Sequence, residues 1–370
     1  MPPPQHALAR LPVAESPLTR VASLLVVGAI GAVGLSVTAD PARSAALTPV
    51  SVARGSHRAA GPGGALSHAD RAVLRTPGKA AAAPAGSTAQ RPATAQHTTK
   101  PHAKQGTEPT RYVPTGTGIW LYEWRRSNHG NAQSIVHRAR QAGLSTLYLR
   151  TGSSWDGFTG GSHLRQLLWA SRGMGMHVVA WDFPRLRHPE HDAQRLARAA
   201  RVRTASGLHV SAVAPDIETP AEGTFNASWR VSAYLRALRR KLPADVSILT
   251  AVPWPSRYRI GDYPYAAVAK HSDVLVPMAY WYNNRPADVT ARSIGYLRRF
   301  HRPVQPVGQG YDGRLDVPGL RHNDLHRQVP MFFWTAHKHG ASAVSLWSWQ
   351  AAPPAAWHAL VRAHRLFPRH

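Results

Sequence analysis

Downstream of Gly118, short runs of almost unbroken apolar residues alternate with longer segments whose apolar positions recur at helical spacing. The short runs read as strands buried on both faces, as in parallel sheets, and the longer segments as amphipathic helices that cover them. Strands are expected over Gly118–Trp124, Thr146–Thr151, His177–Phe183, Val210–Glu218, Ser247–Pro253, Val274–Trp281, Val304–Tyr311 and Ala343–Gln350. Helices are expected over Ala132–Gln141, Leu164–Arg172, Ala193–Thr204, Ser228–Leu242, Val289–Phe300, Pro330–His339 and Pro354–Leu366. Repeated strand–helix units ending on a helix predict an α/β fold, a single (β/α)8 TIM barrel, which takes about 250 residues. An open doubly wound sheet is the alternative, and no Gly-rich dinucleotide fingerprint follows any strand to favour it.

The pattern changes upstream. Val21–Ala39 is apolar and uncharged and follows Arg10 and Arg20, the arrangement of a secretory signal with a cleavage position after Ala39. Its length also suits a membrane anchor. Residues 1–39 are therefore read as signal peptide or anchor, and either reading places the remainder outside the membrane. Residues 40–115 are rich in Ala, Pro, Gly, Ser and Thr and poor in large apolar side chains. Such a stretch cannot bury enough surface to offset its ordering entropy, so a disordered linker is expected. All 12 tryptophans lie beyond it, which puts the folded barrel at residues 116–370.

Composition adds two constraints. The chain holds 45 Lys and Arg against 19 Asp and Glu, a formal charge of +26, so it should attract polyanions such as acidic cell-wall polymers. The basic residues are scattered, and no nucleic-acid reader motif is present, so no specific nucleic-acid partner is expected. Cysteine is absent, which excludes disulfides, cysteine-ligated zinc and a thiol nucleophile. His188-Pro189-Glu190-His191-Asp192 lacks the spacing that sets two imidazoles on one helical face, and no G-x-S-x-G elbow occurs. No metal or cofactor is expected.

In a barrel of this kind the active site lies at the C-terminal ends of the strands. Here those positions combine carboxylates with aromatic residues, which is what a sugar site requires: acids move protons and ring faces stack on pyranose C–H surfaces. The sharpest signal is Asp216-Ile217-Glu218 at the end of the fourth strand. Residues i and i+2 of a strand share a face, so both carboxylates are expected in the mouth, each raising the pKa of the other. Asp182 ends the third strand and is a further catalytic candidate. Tyr280, Trp281, Trp254, Tyr311, Trp349 and Glu123 are candidate substrate contacts.

Asp216-Ile217-Glu218 resembles the end of the D-x-x-D-x-D-x-E strand of family 18 chitinase-like hydrolases. Met278-Ala279-Tyr280 is similar to the M-x-Y of their sixth strand, and Trp347 or Trp349 to the tryptophan of their eighth. The order of Gly118, Leu147–Gly152, His177–Phe183 and Asp216–Glu218 also resembles family 25 lysozymes. The resemblance covers the barrel in layout but only a handful of residues in motif. It implies Glu218 as proton donor, Asp216 orienting an N-acetyl group or the acid, and Tyr280 supporting the attacking oxygen. The earlier chitinase acids fall on Ser211 and Ala214, the acid expected after Tyr280 is Trp281, and the first-strand Asp of the lysozymes is Trp120.

The expectation is an extracellular or cell-surface glycoside hydrolase acting on a polysaccharide or peptidoglycan, touching the membrane only through its N-terminal segment. A saccharide-binding barrel without turnover and a basic surface protein that docks to acidic polymers are the competing readings.

Overall fold

The computed structural model describes residues 111–367, apart from 316, 318–319 and 321–323. The expected leader or anchor over 1–39 and nearly all of the expected linker lie outside the described residues. Among the described residues, no helix is long and apolar enough to cross a membrane.

Eight strand–helix units follow one another. They are β1 (Gly116–Leu121), α1 (Ala132–Gln141), β2 (Thr146–Ser153), α2 (Gly161–Ser171), β3 (His177–Phe183), α3 (Pro189–Ala200), β4 (Ala212–Pro215) and α4 (Ser228–Lys241). The second half comprises β5 (Ser247–Pro253), α5 (Tyr265–His271), β6 (Val274–Ala279), α6 (Pro286–Leu297), β7 (Val307–Gln309), α7 (Leu325–Lys338), β8 (Ala343–Trp347) and α8 (Pro354–Ala363). Each strand pairs in parallel with the next, and β8 returns to β1 in the register Gly116↔Ala343 to Ile119↔Leu346, which closes the barrel. Closure removes both sheet edges. A short antiparallel arm, Gly157–Phe158, folds back on the end of β2.

Alternation along the strands sorts the core into two layers. Trp120, Tyr148, Val179, Trp181, Ala214, Ala251, Val276, Met278 and Val307 fill the barrel interior. Leu147, Leu149, Val178, Ala180, Val213, Ile248 and Leu346 face outward against the helices. Inside, side-chain volumes complement one another: large rings from β1, β2 and β3 meet Ala212, Ala214 and Ala251 on β4 and β5. The Trp120 ring stacks on Tyr148 with centroids 4.3 Å apart, and its N–H donates to Ser345 Oγ at 2.9 Å, so the buried indole is satisfied. Outside, Gly308 allows close approach of α7, because a Cβ there would lie 2.7 Å from the Phe332 ring.

Several elements differ from the sequence expectation for local reasons. β7 is only three residues, since Pro303 and Pro306 carry no N–H for the ladder and Val304 makes an isolated bridge to Leu275. α7 starts before Pro330, at Leu325, where Asp324 caps the helix by accepting from His326 N at 3.1 Å. α5 spans seven residues, too few for a periodic pattern to be read.

Candidate active site

The C-terminal end of the barrel has an aromatic floor. Tyr122, Trp181 and Trp347 gather there, with Trp181 and Trp347 edge to face at 5.5 Å and Tyr122 and Trp347 at 5.8 Å. All three belong with the inward side chains, Tyr122 and Trp181 two residues beyond Trp120 and Val179 on the same face and Trp347 two beyond Ser345. The Arg150 guanidinium lies 4.9 Å from the Tyr122 ring centre and pairs with Asp156 at 2.5 Å.

Asp216 and Glu218 stand at the end of β4 and share the parity of Ala212 and Ala214, whereas Ile217 between them packs in the outer layer. Their backbone is held from both sides. Asp216 N donates to Asp182 O at 2.9 Å and Ile217 N to Ala251 O at 3.1 Å. The Tyr263 hydroxyl donates to Ile217 O at 2.6 Å, and Asn226 Nδ2 to Glu218 O at 3.1 Å. The triplet is thus placed by its neighbours before any ligand arrives.

Both carboxyls are buried, at 7% and 8% exposure, and Asp216 Oδ1 has no hydrogen-bond partner among the described residues. Burial, then the negative charges of Glu222 and Asp182, push Asp216 up to about 7. Burial also pushes Glu218 well above the usual carboxylate range, reinforced by Asp216 and Glu222 and opposed by Arg259. A carboxyl whose protonated form is favoured, beside a second carboxyl that titrates, is the pairing that acid–base chemistry needs.

Glu222, Tyr263 and Arg259 escaped the sequence reading as parts of this site. Thr219-Pro220-Ala221-Glu222 forms a capping box, with Glu222 Oε2 accepting from Thr219 N at 3.1 Å, so its sequence signature reports a helix start rather than chemistry.

The remaining candidates divide by strand parity. Asp182 follows Val178 and Ala180 on the outward face of β3, where Arg195 of α3 grips both its oxygens at 2.6 and 2.7 Å. The structure makes Asp182 half of a buried ion pair behind the mouth. Trp281 likewise faces the helices, 5.7 Å from Phe332 of α7, with its N–H on Gln328 Oε1 at 3.2 Å. Trp349 packs edge-on against Trp357 of α8 at 4.8 Å, and Trp254 is a half-buried member of the same outer layer. Tyr280 stays on the inward side, in contact with the barrel interior and 6.2 Å from the Tyr311 ring. Tyr311 is buried beneath it, its hydroxyl 2.7 Å from that of Tyr282. Glu123 is half-buried at the rim and pairs with Arg126 at 3.2 Å. Of the nine candidates, Asp216, Glu218 and Tyr280 share the inward parity of their strands, Tyr311 lies against Tyr280, and Glu123 is half-buried near the end of β1.

Among the described residues, no group of three or more His, Cys, Asp or Glu side chains is arranged to hold a metal. In the His188–Asp192 stretch, the Asp192 carboxylate is occupied by Arg195 and by the Leu186 amide, each at a short hydrogen-bond distance of 2.7–2.8 Å. Two grooves, of about 760 and 520 Å3, lie on the outer wall between α1 and α2 and share Trp169; no carboxylate lines either, so neither supplies acid–base chemistry.

No protein-family model matches the chain, and none of the curated proteins matches it in sequence. Solved structures do match in shape. An endo-1,4-beta-mannanase from Rhizomucor miehei superposes with a TM-score of 0.50 at 8% identity, covering 66% of this chain and 90% of the mannanase. The C-terminal domain of a putative chitinase from Desulfitobacterium hafniense DCB-2 gives a TM-score of 0.50 at 13% identity, covering 68% of this chain and 98% of that domain. What these structures share with the chain is the fold, a closed (β/α)8 barrel.

Proposed function

We propose that this chain is an exported glycoside hydrolase, and that it cleaves a cell-wall or extracellular glycan at the β4 end of the barrel. The observation that carries the reading is the Asp216–Glu218 pair: two inward carboxyls, buried and raised in pKa by that burial, Glu218 further by Asp216, at the end of the barrel that holds the aromatic floor. Glu218, whose protonated form burial and the neighbouring carboxylates favour, delivers its proton to the departing glycosidic oxygen. Asp216, with one buried oxygen awaiting a donor, accepts a hydrogen bond from the sugar or from the attacking group. The half-buried Trp347 and Tyr280 supply the ring faces on which the pyranose rests, backed by the buried Trp181 and Tyr122. Burial raises the Asp182 pKa and Arg195 opposes that shift; the ion pair fixes Asp182, whose carbonyl accepts from the Asp216 amide.

Mannanase and chitinase names among the structural neighbours are consistent with a glycan substrate and do not select one. The apolar run at 21–39 and the basic charge support action at the cell surface, where wall glycans and their acidic polymers lie.

The test is release of reducing ends from peptidoglycan, chitin, mannan and extracellular polysaccharides by the full chain, beside Glu218→Gln. This near-isosteric change removes the titratable proton and should lower turnover about a thousandfold or more while leaving the fold intact. Equal activity of the two proteins would remove Glu218 from the chemistry. Binding of a glycan with no release from any would favour a saccharide-binding barrel.

A further inference from the structure

Beside the mouth, the loops that leave β2, β3 and β4, with the first turn of α4, bring three large exposed rings together with three arginines. Trp155, Phe225 and Trp229 are 48%, 42% and 63% exposed. The Arg185 guanidinium lies 5.0 Å from the Trp155 ring centre and 5.8 Å from that of Phe225. Arg187 and Arg230 each stand 5.8 Å from Phe225, and Arg230 also covers Trp229 at 4.4 Å. Rings and cations therefore alternate along one surface: Trp155, Arg185, Phe225, Arg230, Trp229.

Two features separate this surface from scattered surface aromatics. The first is its attachment. Phe225 precedes Asn226, which donates to the Glu218 carbonyl, and Phe225 N donates to Arg185 O at 2.7 Å. The run is thus continuous with the loop that bears the candidate acid. The second is charge. Among the described residues, none of the three guanidiniums pairs with a carboxylate, while Arg126, Arg150, Arg195, Arg240 and Arg314 all do. Arg185 uses Nε on Gly223 O, and Arg230 uses Nη1 on the Leu186 and Arg187 carbonyls, so each is oriented by the backbone and keeps further N–H groups available. A fixed, unpaired guanidinium fork is suited to a carboxylate, and an exposed ring beside it to a sugar face.

We propose that this surface is an extended subsite for an anionic glycan, specifically one whose sugars carry a carboxylate on the ring. The inference rests on reading the adjoining mouth as a glycan-hydrolysing site. The spacing argues for uronate-type sugars: cation and ring centre are 4.4–5.8 Å apart, so one sugar must present both its apolar face and its anion. A polymer whose anions are separated from its sugars by polyol linkers would not meet both partners with one residue.

The test measures equilibrium binding of the full chain to β-1,4-glucuronan oligomers and to cello-oligosaccharides of equal length, which differ in the C6 carboxylate. Polyglutamate serves as an anion without rings. The expected result is at least tenfold tighter binding of the glucuronan than of the neutral oligomer. Trp229→Ala, which conserves charge at an exposed position, should weaken glucuronan binding about fivefold and leave polyglutamate binding unchanged. Arg187→Gln, at a side chain that holds no other element, should weaken glucuronan binding at least threefold. Equal affinity for the two oligomers, or an equal effect of Trp229→Ala on glucuronan and polyglutamate, would overturn the assignment. Rim-dependent glucuronan binding without hydrolysis of any glycan would keep the subsite and remove the hydrolase reading. Hydrolysis of neutral glycans, unaltered by the rim variants, would do the reverse.

Discussion

Replacing Asp216 with Asn should make the protein more stable at neutral and alkaline pH while damaging the site. Burial and the nearby carboxylates move Asp216 from 3.8 up to about 7. The folded state therefore holds a proton that the unfolded chain releases above pH about 4. Below that pH both states are protonated and the residue has no effect. As pH rises from about 4 to about 7, stability falls, and above 7 the loss is complete. A shift of about three units corresponds to about 4 kcal/mol at its upper limit. Asparagine carries no proton to lose, and its amide costs little at a position where Oδ1 has no partner to forfeit. Urea unfolding of both proteins at pH 4, 5.5, 7 and 8 should show no difference at the acid end. By pH 8 the gain should approach about 4 kcal/mol in favour of the variant, or roughly 10 °C in melting temperature for a domain of this size. Parallel stability curves across that range would refute the reasoning, because they would mean that Asp216 is ionised in the folded protein as easily as in the unfolded one.

Arg195→Ala should destabilise the barrel by about 3–5 kcal/mol, since it strands the Asp182 carboxyl at 1% exposure without the guanidinium that grips both its oxygens; denaturant midpoints would show this, and a loss below about 1 kcal/mol would count against the pairing. Gly308→Ala should cost about 1–3 kcal/mol by driving a methyl into the Phe332 ring and pushing α7 off β7, and Phe332→Leu in the same chain should recover part of that loss.

Much of this architecture was legible in the chain because it depends on local chemistry. A strand buried on both faces must be apolar throughout, and a helix lying on it must be apolar on one side only, so the eight strands and most helices could be placed from the pattern. β3, β5 and α1 match their expected limits, while prolines trimmed β7. The Asp216–Glu218 pair was legible for a similar reason: a period of two sets both on one face whichever way the strand turns.

What the pattern left open is which face that is. In a strand apolar on both sides, nothing local separates inside from outside, so Asp182, Trp281 and Trp349 carried the same composition signal as Tyr280 and Trp347. Closure of the sheet decided between them. It sent Tyr122, Trp181 and Trp347 into the mouth, and it turned Asp182 toward an arginine on α3 and Trp281 toward a phenylalanine on α7. The ring–arginine run beside the mouth belongs to the same class, assembled from segments distant in sequence. The sequence by itself determined the order of elements and the identity of the paired acids, because periodicity and residue chemistry act over a few neighbours. Only the tertiary structure decided which side chains face one another, because facing is a property of the closed barrel and of no single strand.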